Sequence, residues 1–300
     1  MLSAMGPRAC FLIILGLLLA TAGEAQKKRF TFAWSSAMAP GTEVAAQYSA
    51  EILRVDGRAT TKSTVFRTGT LTLESEGETW RLRRQANGPV FRWLNSYQDF
   101  LDHLPQLATT VVVDRAGRFQ GATMTAKALE RGEELVAQLP EAGREAAGRQ
   151  ISPAALEARW ADLWHLGVEL WLGRPYRKGT TFTTHRTVQI PASGGTMAVE
   201  LTAEVLRKVP CTPQQRRKKC VEVQVVERVD PDRLTAALAT AALAAYQGAV
   251  VGAMERRFTA VVAPKTLRPY TYTFHHRLEQ EPPEGKGLTL EEVTRNWTFE

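Results

Sequence analysis

The sequence predicts an α+β fold: a curved, mostly antiparallel sheet with helices on one face, its elements ordered as two pseudo-repeated halves. Three observations point there. Most of the chain alternates apolar and polar residues, the period of two that a half-buried strand requires. One stretch near the middle, residues 123–179, changes to helical spacing. After it, the order of three strands, a helix and a hairpin is met a second time, and such self-similarity points to a sheet in two like halves. The expected division is a signal peptide at 1–25, a β-rich half at 26–122, a helical segment at 123–179 and a second β-rich half at 180–300.

The first segment sets the expected compartment. Met1 to Ala9 carries Arg8 as its only charge, Cys10 to Leu19 is apolar except for Gly16, and small residues follow at Ala20, Thr21, Ala22, Gly23 and Ala25. These are the three parts of a secretory signal, with cleavage fitting after Ala22 or Ala25. The apolar run is about half of the roughly 20 residues needed to cross a bilayer, so a cleaved signal is expected and not an anchor. The mature protein is therefore expected to be exported, periplasmic or extracellular, and not membrane-spanning. No Cys follows the small residues, so a lipid-anchored form is not expected.

The N-terminal strands come next. Thr31 to Trp34 opens the mature chain and Gln47 to Val55 ends in the turn Asp56-Gly57. Gly69 to Ser75 meets Glu78 to Arg84 through Glu76-Gly77, a hairpin signature. Ser96 to Leu107 reads as a short helix with Tyr97, Phe100, Leu101 and Leu104 on one stripe. Thr109 to Val113 and Arg118 to Gly121 flank the turn Asp114 to Gly117.

In the middle, Met124 to Gln138 is helical, while Pro140 to Gln150 is polar and expected to be mobile. Ser152-Pro153 starts a stronger helix, with Ser152 as cap and Pro153 at the first helical position. It is expected to run to about Leu172, with Trp160, Trp164 and Trp171 on its apolar face and Gly173 as its C-terminal cap.

Strands then return at Thr180 to Ile190, Thr196 to Val209 and Val221 to Val225. Asp230-Pro231 begins a helix expected to reach residue 254. Its uncharged stretch from Thr235 to Met254 is 20 residues long but mainly Ala, which contributes little transfer energy. A packed helix is expected there and not a membrane span. Phe258 to Ala263, Tyr270 to Leu278 and Val293 to Phe299 complete the strands.

Charge and cysteines narrow the function. Removing residues 1–25 deletes Arg8 and Glu24, so the formal net charge of +7 persists in the mature chain. That balance favours anionic partners such as nucleic acid, acidic glycans or phospholipid headgroups. The basic run Arg216, Arg217, Lys218 and Lys219 is the candidate patch; no specific nucleic-acid motif accompanies it. Cys10 leaves with the signal, and Cys211 and Cys220 remain. In an oxidising compartment they are expected to pair, clipping a hairpin whose tip is the basic run.

Chemistry has little local signal. None of the five His falls in a zinc-binding pattern, and His275 and His276 occupy one strand, so they face opposite ways. No G-x-S-x-G elbow or phosphate loop occurs. No catalytic residue, cofactor or metal ligand is assigned, and the reading points away from an enzyme. The aromatic side chains are the remaining candidates: Trp160, Trp164 and Trp171, with Trp93 and Phe100, could line a ligand cavity instead of packing a solid core.

A curved sheet with helices plugging its concave side resembles, in pattern alone, the clam-shaped lipoprotein carriers of the bacterial periplasm. The pieces Trp160 to Gly173 and Ala263-Pro264-Lys265-Thr266-Leu267-Arg268-Pro269-Tyr270 also look like those of exported bacterial proteins with no assigned activity. The carrier resemblance implies an apolar ligand between sheet and helices. The leading expectation is thus a non-enzymatic exported carrier for an apolar or amphipathic ligand. The rivals are a cell-envelope module binding acidic polymers through its basic surface, and a hydrolase of unknown type.

Overall fold

The computed structural model describes residues 31–34, 43–56, 59–87, 107, 109–189, 196–215, 219–238, 250–281 and 289–299. The strands are β1 (Glu43–Asp56), β2 (Ala59–Glu76), β3 (Thr79–Asn87), β4 (Thr109–Asp114) and β5 (Phe119–Met124). Helices α1 (Ala126–Ala137), α2 (Glu141–Gln150) and α3 (Pro153–Gly167) follow, then a single 3-10 turn at Glu169–Trp171. The chain continues with β6 (Thr181–Gln189), β7 (Thr196–Pro210), β8 (Lys219–Arg228), α4 (Pro231–Leu238), β9 (Val250–Val262), β10 (Pro269–Glu281) and β11 (Thr289–Phe299).

The eleven strands among the described residues form one antiparallel sheet in the order β5-β4-β3-β2-β1-β11-β10-β9-β8-β7-β6. Each half is an up-and-down meander. The halves are joined where β1 pairs with β11, from Ala46 opposite Phe299 to Asp56 opposite Thr289. This corrects the expected α+β class, with its pseudo-repeated halves and helices gathered on one face. The described residues are mostly strand, the helices are few, and one sheet runs through both halves.

Local reasons explain the difference. Val250 to Met254, expected as the end of a helix, opens β9, because β-branched Val250 and Val251 favour the pleated backbone. The described helix there stops at Leu238. Residues 59–68, given no element from sequence, extend β2 through a Thr-rich run suited to strands. Thr31 joins Pro175 in an isolated bridge. Against expectation, 141–150 is helical, with Ala147 packed beside Leu107, Ala128, Leu135, Leu139 and Ile151. The signal segment, Trp93, Phe100 and Arg216 to Lys218 lie outside the described residues, as does the 96–107 helix apart from Leu107.

The strands share one apolar phase. Val221, Val223 and Val225 of β8 stand opposite Val262, Ala260 and Phe258 of β9. Val205 and Ala203 of β7 stand opposite Val223 and Val225. In the other half, Leu73, Leu82, Val111 and Ala122 follow one another across β2 to β5. Among the described residues, seventeen buried ones make the largest cluster, built chiefly from β7, β8, β9 and the segment 166–176.

Turns and caps follow the expected chemistry. The Ser152 hydroxyl accepts the Ala155 N–H at 3.3 Å, with Pro153 next to it. Asp230 Oδ1 accepts the Asp232 N–H at 3.0 Å. Cys211 and Cys220 form a disulfide with Cα atoms 4.9 Å apart, closing the β7–β8 hairpin where Val209 faces Cys220. Both sulfurs are packed beside Tyr270, and Lys219 next to Cys220 is exposed. No helix among the described residues is long and apolar enough to cross a membrane.

The disulfide closes a short loop, worth about 2–3 kcal/mol in the chain-entropy picture. Replacing Cys211 and Cys220 together by Ser is expected to lower the unfolding free energy by that amount in urea titrations. In the native protein both sulfurs should react with alkylating reagent only after reduction.

Candidate ligand-binding site

Helix α3 brings large side chains onto the apolar phase of the sheet. Leu156, Trp160 and Trp164 lie among Leu73, Trp80, Val111, Val113 and Ala122. Spacing by four keeps Trp160 and Trp164 on one side of the helix. The Trp164 indole N–H donates to the Gly117 carbonyl at 2.8 Å, fixing the helix to the β4–β5 turn. Gly117 has φ +82°, and a Cβ there would lie 2.4 Å from Trp34 Cγ. Only glycine lets Trp34 settle edge-on against Trp164, with ring centres 5.2 Å apart. Asp114 holds the turn, its carboxylate accepting the backbone N–H groups of Ala116 and Arg118, each at 2.9 Å. Those bonds, led by that from Arg118, hold the Asp114 carboxyl below its ordinary pKa.

A ring of four charges makes a second anchor. Asp162 of α3 and Glu227 of β8 alternate with Arg186 of β6 and Arg256 of β9. Arg256 donates to Asp162 at 2.7 Å and to Glu227 at 2.6 Å. Arg186 pairs with Glu227 at 2.5 Å and with Asp162. The Glu227 side chain is only 3% exposed, so its charge depends on these partners. Burial alone would raise the Asp162 pKa, but Arg256 and Arg186 outweigh it and hold the carboxyl low. Burial works against the Arg256 cation too, and Asp162 and Glu227 more than restore it.

Between these anchors, a cavity of about 160 Å³ opens between α3 and the sheet. Val44, Ala46, Leu71, Leu73, Leu82 and Val111 line it from the N-terminal strands, and Phe258, Tyr272, Trp297 and Phe299 from the C-terminal ones. Trp160, Leu163, Trp164 and Val168 cover it, joined by Trp34 and the turn Thr266 to Pro269. Its walls are almost wholly carbon, and it straddles the β1–β11 junction. Leu267, fully buried on that turn, holds φ +51°, where a bulky side chain is uncommon. Burial pushes the Tyr272 phenol up, so it stays neutral.

A second cavity, of about 250 Å³, shares Trp160, Leu163 and Trp297 with the first. Its walls are mixed: Leu107, Met124, Leu156 and Phe274 beside Thr109, Gln150, Arg159, Asp162, Arg256 and Arg295.

Of the aromatic candidates, Trp160 and Trp164 line the apolar cavity. Trp171 does not: α3 ends at Gly167, the chain turns at Val168, and Trp171 is buried against Phe32 and Phe182. Its indole N–H donates to the Leu166 carbonyl at 2.9 Å. The charged ring, Tyr272, Trp297 and Arg295 were not picked out from sequence. A signal existed: Glu227 continues the buried phase of Val221, Val223 and Val225, and Arg256 that of Phe258 and Ala260. A charge at an apolar phase needs a buried partner. Among the described residues, no group of three or more His, Cys, Asp or Glu could hold a metal ion.

No protein-family model matches the chain, and no curated protein sequence matches it either. A solved structure described as "Lipid-protein interactions in lipovitellin" is similar at a TM-score of 0.43 and 9% identity, over 87% of this chain. The chain spans 25% of that protein's length. A likeness at this level carries no argument about fold or ligand.

Two stability effects are expected. Glu227→Gln leaves two buried guanidinium groups short of a carboxylate, so unfolding free energy should fall by about 3–5 kcal/mol in denaturant titrations. His276 is held near pH 3, first by burial and then by the Arg256, Arg295 and His275 charges. An unfolded imidazole titrates near 6.5, so below that pH the unfolded chain takes up a proton the folded chain refuses. The contribution of His276 is therefore full above about pH 6.5 and is lost as pH falls toward 3. Unfolding free energy should be about 2 kcal/mol lower at pH 5 than at pH 7. His276→Leu should flatten that difference.

Proposed function

We propose that this protein is an exported, non-enzymatic carrier that holds an apolar or amphipathic ligand between α3 and the sheet. The observation that carries the reading is the apolar cavity at the β1–β11 junction, walled by Trp160 and Trp164 on the helix and by Tyr272 and Trp297 on the sheet. A cavity walled by carbon excludes water without offering it partners, and it welcomes alkyl groups. Each methylene moved there from water contributes about 0.8 kcal/mol. Eight of them would contribute about 6 kcal/mol before the cost of association is met. The signal-like N-terminal segment and the disulfide support export, since such bonds persist in oxidising compartments.

The test is native mass spectrometry of the protein purified from an exporting host, with solvent extraction of what it carries. It is followed by titration with a brominated fatty acid that quenches indole fluorescence on contact. A bound acyl compound and saturable quenching are expected, and Ala46→Phe, which fills the cavity floor, should weaken uptake at least tenfold. A bare mass together with no quenching would reject the carrier reading.

A further inference from the structure

We infer that the second cavity is a headgroup site for an oxyanion, a carboxylate or a phosphate, carried on the alkyl chain that the first cavity takes. The inference rests on the carrier reading and adds the ligand's chemical class. Trp160, Leu163 and Trp297 line both cavities, so one molecule with an apolar body and a polar end can occupy both.

The polar groups of the second cavity decide which end it takes. Asp162 is the carboxylate in its wall, and it is already matched: Arg186 and Arg256 hold it, with Glu227 completing the ring. Arg295, on β11 opposite Phe274, lines the same cavity and makes no ion pair among the described residues. Arg159 faces it too, held by the Gln150 backbone and side-chain oxygens at 3.1 and 3.2 Å. Thr109 lines the cavity as well, and it is buried, with no hydrogen-bond partner for its hydroxyl among the described residues. A guanidinium without a carboxylate partner, with a second guanidinium on the same cavity, meets the needs of a carboxylate or phosphate, whose oxygens accept its N–H groups. Burial first, and then the Arg256 and Arg295 charges, hold the nearby His276 imidazole below its ordinary pKa.

The experiment uses the delipidated mature protein and four ligands with the same twelve-carbon chain: dodecanoate, dodecyl phosphate, dodecanol and dodecyltrimethylammonium. Affinities are read by calorimetry at pH 7.5. The two anions are expected to bind at least tenfold tighter than dodecanol, with the cation weakest. Whichever anion is tighter names the headgroup as fatty-acid-like or phospholipid-like. Arg295→Gln should reduce anion affinity at least tenfold while changing that for dodecanol less than twofold. Arg295→Lys should restore part of it. Retained dodecanol binding in each variant shows that the cavity still forms. Equal binding of acid and alcohol, or a uniform loss for all four ligands in Arg295→Gln, would overturn the headgroup site and leave the carrier reading standing. No binding of any of the four would overturn both.

Discussion

Eleven strands in register set one apolar row beside the next on the same phase of the sheet, and most of this molecule follows from keeping water off those rows. Over the mainly Val and Ala rows of β7 to β9, the segment Leu166 to Tyr176 makes a solid core. Near the β1–β11 junction the cover is α3, and its fit is incomplete. Small Ala46 on the sheet and the bulky Trp160 and Trp164 above it leave room that no side chain fills. The cavity is thus a consequence of side-chain size at a few positions.

The cover is fastened by polar groups at its edges and by dispersion over its middle. At one side the Trp164 indole meets the carbonyl of a glycine turn. At the other, Asp162 joins a ring whose remaining members lie on three strands. Charged rings of this kind contribute more to position than to net stability, because desolvation offsets much of the attraction. Their geometry is demanding, so α3 is placed in one position along the strands. An apolar contact surface alone would let the helix slide. Such placement keeps the cavity open, since a space between two loosely held layers would collapse.

Much of the fold was legible in the sequence, because it is local. Alternation located most of the strands, and Asp, Ser and Pro placed the starts of α3 and α4. Long-range pairing was not legible: nothing in residues 46–56 announces that they lie beside 289–299. The helix expected through Val250 failed because a run without charges says where water is absent and not which backbone fills the space. The site was half visible. Trp160 and Trp164 stand out by spacing, whereas Trp297, Tyr272 and Arg295 enter only through strand pairing. Trp171 misled because it shares the helical spacing of its neighbours, yet the helix ends before reaching it.

The junction of β1 with β11 has a further consequence, for the order of events as the chain is made. More than two hundred residues separate the partners, so their pairing closes the longest loop in the sheet. Contacts of that span form late and make folding slow, since chain entropy is lost before they return anything. Until β11 emerges, β1 is an open edge and the cavity has only part of its wall. The half-made chain therefore lacks the full cavity wall, and topology completes that wall only once β11 has joined β1.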